Sequence, residues 1–203
     1  MNTPPPPAVE PPARNAWWVR AVAAVPLPLL HGLASLLAWL AFRVFPHRPE
    51  VILGNLAVAF PELDDGARRG IMRDFYATHA DVLVEIVKAA SMSPEELRRR
   101  VTVRGLEQVH ERLAAGRPVL LLGAHQCNWE WMLLVLSLLL GAPLDAAYKP
   151  LVDPWAEREM KTLRTRFGAR LVPAQQLLVD ILQHPFPVAR VGREQQHRAT
   201  GNG

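Results

Sequence analysis

His125 and Glu130 stand in an H-x4-E arrangement, and together they describe acid–base chemistry. A hydroxyl is a poor nucleophile at neutral pH, and a histidine near pKa ~6.5 can take its proton as a bond to an acyl carbon forms. The resulting imidazolium needs a counter-charge and a fixed tautomer, which a carboxylate on the other ring nitrogen supplies. If Glu130 opens a helix, the free N–H groups of that first turn can also bind the carboxylate or an oxyanion. Spacing by itself favours a structural histidine at a strand end, so the context has to sharpen the assignment.

Other groups lie nearby. Cys127 invites a thiol nucleophile paired with His125, but thiol catalysis draws its base from a distant segment, and a small packed residue is the simpler reading. Asn128 can orient the turn or join a polar pocket. Trp129 and Trp131 read as packing residues. Lys149, Arg158, Lys161, Arg164, Arg166 and Arg170 form a basic stretch, which is either a solvated helix face or a place to hold phosphate or an acidic carrier surface. His31, His47, His79, His110, His184 and His197 have no metal-like spacing and receive no role. A single cysteine excludes a multi-cysteine metal site and an internal disulfide. The absence of a Gly-rich phosphate loop gives no reason to invoke ATP. No cofactor and no metal are expected.

The elements that must position the pair follow from pattern. Residues 119–122, Val-Leu-Leu-Leu, are a continuous apolar run, as expected of a strand buried on both faces. The polar turn 123–130 follows, and then an apolar helix over 131–140. Strand, turn and helix in this order form the connection where α/β enzymes place their chemistry. Leu144 to Tyr148 can be the next strand, 153–167 an amphipathic basic helix closed by Gly168, Leu171-Val172 a third strand and 175–182 a short helix. Upstream, residues 51–90 read as helical, with a turn at 61–66. From Ala67 on, Ile71, Phe75, Thr78, Val82 and Ile86 mark one face. Ser93 as N-cap, Pro94 as first helical residue and Glu96 three positions after the cap predict a helix to Arg100. Residues 101–103 can be a strand, and 106–115 a helix with Gly116 as its C-cap.

The ends differ in kind. Prolines crowd residues 1–12, which cannot build a helix. Residues 21–42 carry no charged side chain, long enough as helix to cross roughly 30 Å of hydrocarbon. Trp17, Trp18 and Arg43 flank this run as interfacial anchors would. Pro26, Pro28 and His31 count against such a span, and a buried or surface-lying hairpin of two short helices is the competing reading, behind a membrane-embedded segment. Arginines on both sides leave orientation unread. Residues 183–203 are polar, basic and without period, as in a disordered tail. Half of all residues are hydrophobic, and the formal charge of +4 is a mild basic excess that fits phospholipid or an acidic carrier protein. No zinc-ligand set, RNA-binding signature or dense basic run interleaved with aromatics points to nucleic acid.

Three segments together resemble the lipid A biosynthesis acyltransferase family, the late acyltransferases of Gram-negative lipopolysaccharide assembly. Residues 54–62, GNLAVAFPE, are similar to its NL…FPE stretch. Residues 119–130, ending in GAHQCNWE, are similar to its strand followed by G-x-H-x-x-N-W-E. Tyr148-Lys149-Pro150-Leu151, the run from Arg164 to Gly168 and 171–173 resemble its Y-[RK]-P and R-x-R-F-G elements. The likeness covers roughly residues 15–182, and its specificity lies in the combination.

The resemblance implies an α/β fold, a mixed sheet flanked by helices, with an N-terminal membrane helix in the bacterial inner membrane and the catalytic part on the cytoplasmic side. It implies an acyl-carrier-protein thioester as donor and a lipid A precursor hydroxyl as acceptor. His125 would be the general base, Glu130 its partner and Arg164 a phosphate or donor contact, with Asn128, Lys149 and Arg166 beside them as substrate-binding candidates. On this reading 1–16 is a tail, 17–45 the anchor, 46–182 the acyltransferase domain and 183–203 a second tail. Family members continue with a D-Q element and further strands. The expectation here is a truncated chain with an incomplete sheet and an unpaired edge. Two other readings stay open. A glycerolipid acyltransferase is one, although that type has N-H-x4-D where this chain has A-H-x4-E. The other is a non-catalytic membrane-associated fragment.

Overall fold

The computed structural model describes residues 14–44, 48–124 and 126–176. His125 and most of the helix expected over 175–182 lie outside them. The described chain forms two compact units. One comprises Trp17–Leu97 with Gly123–Trp131. The other comprises Arg98–Leu122 with the described parts of Met1–Ala16 and Met132–Gly203.

The first unit is helical. Helices α1 (Trp17–Ala24) and α2 (Leu27–Arg43) are separated at Val25-Pro26 and bent by 103°. The single membrane helix expected over 21–42 is therefore two helices. Pro26 cannot donate a hydrogen bond and disfavours a helical residue before it, so the helix stops there and restarts with Pro26 as its cap. No single helix among the described residues is long and apolar enough to cross a membrane; the bent pair passes that test only as a pair. The carbonyls freed at the break are not left bare. Lys88 Nζ donates to Ala23 (2.9 Å) and Val25 (3.1 Å), and Ser91 Oγ donates to Ala23 (2.6 Å).

Helix α3 (Pro49–Ala59) precedes α4 (Asp65–Ala89), whose N-cap Asp64 accepts from the Ala67 N–H at 2.7 Å. Helices α1, α2 and α3 all pack on α4. On α2 the buried residues are Leu30, Ala34 and Ala38, one stripe at four-residue spacing whose small side chains let the helices approach. Burying Leu30 contributes about 1.5–3 kcal/mol. On α4 the buried residues are Met72, Tyr76, Val82, Lys88 and Ala89. Ile71, Phe75 and Thr78, expected on the core face, are exposed, and Phe75 instead lies edge-on to Tyr76 and stacked on His79. In this first half the buried positions are Met72 and Tyr76, one residue later, with Phe42 of α2 edge-on to Tyr76, while Val82 is buried as expected.

Helix α5 (Pro94–Arg100) starts as expected, with the Glu96 N–H donating to Ser93 Oγ at 3.1 Å. Residues 101–103 form no strand.

In the second unit, α6 (Leu106–Ala114) ends in a left-handed Gly116, φ 70°. The Arg117 N–H bonds the Arg112 carbonyl at 2.9 Å and the Gly116 N–H bonds that of Leu113 at 3.0 Å, which is the Schellman pairing. Residues 119–122 are not a buried strand. Leu120 and Leu122 are 73% and 89% exposed, and among the described residues no strand pairs with them. Apolar sequence makes such a run ready for a sheet, but a strand exists only beside a partner. Helix α7 (Trp129–Leu139) starts two residues earlier than expected, and Leu134 and Val135 are fully buried.

The sheet among the described residues has two parallel strands, β1 (Asp145–Tyr148) and β2 (Arg170–Pro173), in the register Asp145↔Arg170 to Tyr148↔Pro173. It is parallel where a mixed sheet was expected. Helix α8 (Pro154–Arg164) supplies the crossover that parallel strands require. Its N-cap Asp153 accepts from the Ala156 N–H at 2.7 Å, and Arg170 grips Asp145 through two bonds of 2.8 and 2.7 Å.

Candidate active site

The turn before α7 is built from the residues that the H-x4-E reading singles out. Asn128 Oδ1 accepts from the Trp131 N–H at 3.0 Å, so Asn128 is the N-cap of α7. Glu130 therefore occupies the first helical turn, where the positive end of the helix dipole favours a carboxylate. It is 2% exposed, and its Oε1 accepts from Trp129 Nε1 at 3.1 Å. Cys127, just before the cap, is exposed and has a left-handed backbone, φ 49°. Such a conformation costs a non-glycine residue about 1 kcal/mol, and strain of this kind collects where a turn must aim side chains.

Glu85 on α4 receives this turn. Asn128 Nδ2 donates to Glu85 Oε2 at 2.9 Å, and Trp131 Nε1 donates to the Glu85 main-chain carbonyl at 2.9 Å. On the far side of Glu85, His31 Nε2 approaches Oε1 to 3.4 Å. That nitrogen is sealed from solvent and has no aligned hydrogen bond among the described residues. Sequence reasoning assigned no role to Glu85 or His31. The available signal was a lone carboxylate within the apolar run 82–87 of α4.

The cationic candidates belong to the other unit. Lys149 is exposed and directly follows β1; Arg164 is the last residue of α8. Arg166 lies 5.1 Å over the Phe167 ring, and burial pushes its guanidinium below the ordinary arginine pKa. The loop that carries Lys149 is held from α8. Glu157 accepts from the Leu151 N–H (2.8 Å), the Tyr148 hydroxyl (3.1 Å) and Lys161 (3.0 Å). The Leu151 N–H foremost, then Lys161, draws the Glu157 carboxyl below its usual range, and Glu157 in turn raises Lys161. Buried Glu159 anchors the segment before α1. Burial opposes its charge, but donors from Asn15, the Ala16 N–H and Arg158 outweigh that and hold its carboxyl low. Asn128 and Glu130 are thus brought together on one helical turn, while Lys149 lies beside the start of α8 and Arg164 and Arg166 lie at its other end, so these cations are not brought together.

The described residues are thus mostly helical, with one parallel β-α-β unit and, at the start of α7, a capped helix that opens on a buried carboxylate. Residues 15–185 match the family model for bacterial lipid A biosynthesis acyltransferase, and the chain belongs to that family. It is 28% identical over 120 residues to the lipid A biosynthesis myristoyltransferase of Escherichia coli (strain K12), which covers 58% of this chain and 36% of that protein. It is 25% identical over 167 residues to a lipid A biosynthesis acyltransferase of Haemophilus influenzae, which covers 80% of this chain and 51% of the relative. The lipid A biosynthesis lauroyltransferase of Escherichia coli is 28% identical over 109 residues, 54% of this chain and 36% of the relative. The chain therefore spans about half or less of the length of these relatives. No solved structure matches it.

Proposed function

We propose that this chain carries the base-bearing half of an O-acyltransferase that moves a fatty-acyl group from an acyl-carrier-protein thioester to a hydroxyl of a lipid A precursor. His125 takes the hydroxyl proton as the oxygen attacks the thioester carbonyl. The imidazolium is balanced by Glu130 and passes its proton to the departing sulfur as the tetrahedral intermediate collapses, so the carrier leaves as its thiol and His125 returns to the neutral form. The observation that carries this reading is the run GAHQCNWE inside the family match, with Glu130 buried in the first turn of a helix capped by Asn128. Lys149, Arg164 and Arg166 supply positive charge for a phosphorylated acceptor or the acidic carrier. Membrane contact falls to α1 and α2. Helix α2 exposes Leu29, Leu33, Leu36 and Leu37, an apolar surface suited to lipid at the cytoplasmic side of the inner membrane.

The test offers one acyl-carrier thioester and two acceptors, a lipid A precursor and a lysophospholipid, and identifies the new ester by mass spectrometry. Acylated lipid A precursor supports the proposal. Product formed on the lysophospholipid alone favours a glycerolipid acyltransferase and contradicts it.

A further inference from the structure

We propose that Glu85 is a positioning residue for the acyl-transfer step, holding the turn after His125 in register through Asn128, with His31 bracing Glu85 from α2. The inference rests on the acyl-transfer reading above and adds to it a residue distant in sequence from the reacting pair.

The geometry is that of a two-point strap. From one residue on α4, the carboxylate holds the Asn128 side chain at 2.9 Å and the main-chain carbonyl holds the Trp131 indole at 2.9 Å. These partners flank Glu130 on either side, so α7 can neither slide nor roll in its first turn without breaking one of them. Asn128 transmits the hold directly, because its oxygen is the helix cap while its amide is the group that Glu85 fixes. A carboxylate is a costly choice at this place. Its neighbours on α4 are Val84 and Ile86, and a half-buried charge costs desolvation that an apolar side chain would not. What a carboxylate supplies and leucine does not is a directional acceptor for the Asn128 amide. His31 meets its other oxygen at 3.4 Å, and Lys88, the cation one turn on, is committed to the Ala23 and Val25 carbonyls. The carboxylate is thereby held between α2 and the turn.

A misplacement of about 1 Å at a reacting group can cost on the order of 10²-fold in rate. For the chain assayed with acyl-carrier thioester and lipid A precursor, Glu85→Ala should lower kcat about 10- to 100-fold with KM changed by less than about threefold. Glu85→Gln keeps an oxygen for the Asn128 amide and should stay within about threefold of wild type. A second pair retains full-sized side chains. Asn128→Asp keeps the helix cap but sets two carboxylates against each other, so kcat should fall. Adding Glu85→Gln should restore it, since the new amide donates to the new carboxylate. Turnover that depends on His125 yet ignores Glu85→Ala, or failure of Glu85→Gln to rescue Asn128→Asp, overturns the positioning role and leaves the acyl-transfer reading standing. A wild-type chain without His125-dependent turnover overturns both.

Discussion

Lys88 Nζ donates to the carbonyl of Ala23 at 2.9 Å, across 65 residues of sequence, and so ties α4 to the end of α1 where proline breaks the helix. The lysine is 8% exposed and also reaches Val25. Replacing it with methionine keeps the bulk but leaves those carbonyls without their donor. Lys88→Met should cost about 1–3 kcal/mol of stability, read from urea unfolding followed by tryptophan fluorescence. An unchanged midpoint would show that water or Ser91 serves the break as well.

Asn128 has a capping role separable from its bond to Glu85. Asn128→Ala should destabilise the chain by about 1 kcal/mol through loss of the α7 cap, whereas Asn128→Ser should recover most of that. The measurement is thermal unfolding by circular dichroism. Equal losses in both variants would mean that the cap contributes little.

Glu157 predicts a particular acid dependence. Its folded-state pKa lies below its ordinary 4.5, so its contribution to stability is fully present above that value and is lost as pH falls through the folded pKa. Between neutral pH and the acid side of 4.5, wild type should lose more melting temperature than Glu157→Gln does. Parallel curves for the two would contradict the role of the Leu151, Lys161 and Tyr148 contacts.

The apolar face of α2 predicts lipid binding. Replacing Leu33 and Leu37, 46% and 48% exposed, with lysine together should reduce partitioning into phospholipid vesicles at least about tenfold, because two buried leucines contribute about 1.5–3 kcal/mol each. Flotation of both proteins with vesicles reads this out, and equal flotation would contradict lipid contact through this face.

Local chemistry was the legible part of this sequence. Ser93, Pro94 and Glu96 foretold a helix start and Gly116 a helix end, because each acts through its own backbone and its nearest neighbours, whereas α8 ends at Arg164 with Thr165 as its cap, short of the Gly168 stop expected for it. Strands β1 and β2 were legible as short apolar runs on either side of a basic amphipathic helix, but their parallel pairing was not. The run 119–122 misled for the opposite reason: a strand is defined by what lies beside it, and apolarity does not name a partner. The first half of the α4 face was misread by one position because Ile71 and Phe75 satisfy the same period as Met72 and Tyr76, and only packing chooses between them, whereas Val82 was placed correctly. In the candidate site, the motif singled out Glu130 and Asn128, which the structure places on one helical turn. Glu85 and His31 stayed hidden because their relation to that motif is made by helix packing.

The central claim is that His125 and Glu130 act as one unit. The most direct measurement is the single-turnover rate of acyl transfer by wild type, His125→Ala, Glu130→Gln and the double variant, with folding of each verified by circular dichroism. The predicted result is a loss of about 10²–10⁴-fold in His125→Ala, a substantial loss in Glu130→Gln, and a double variant no slower than the worse single. Losses that multiply in the double variant, or transfer that survives without His125, would contradict the account.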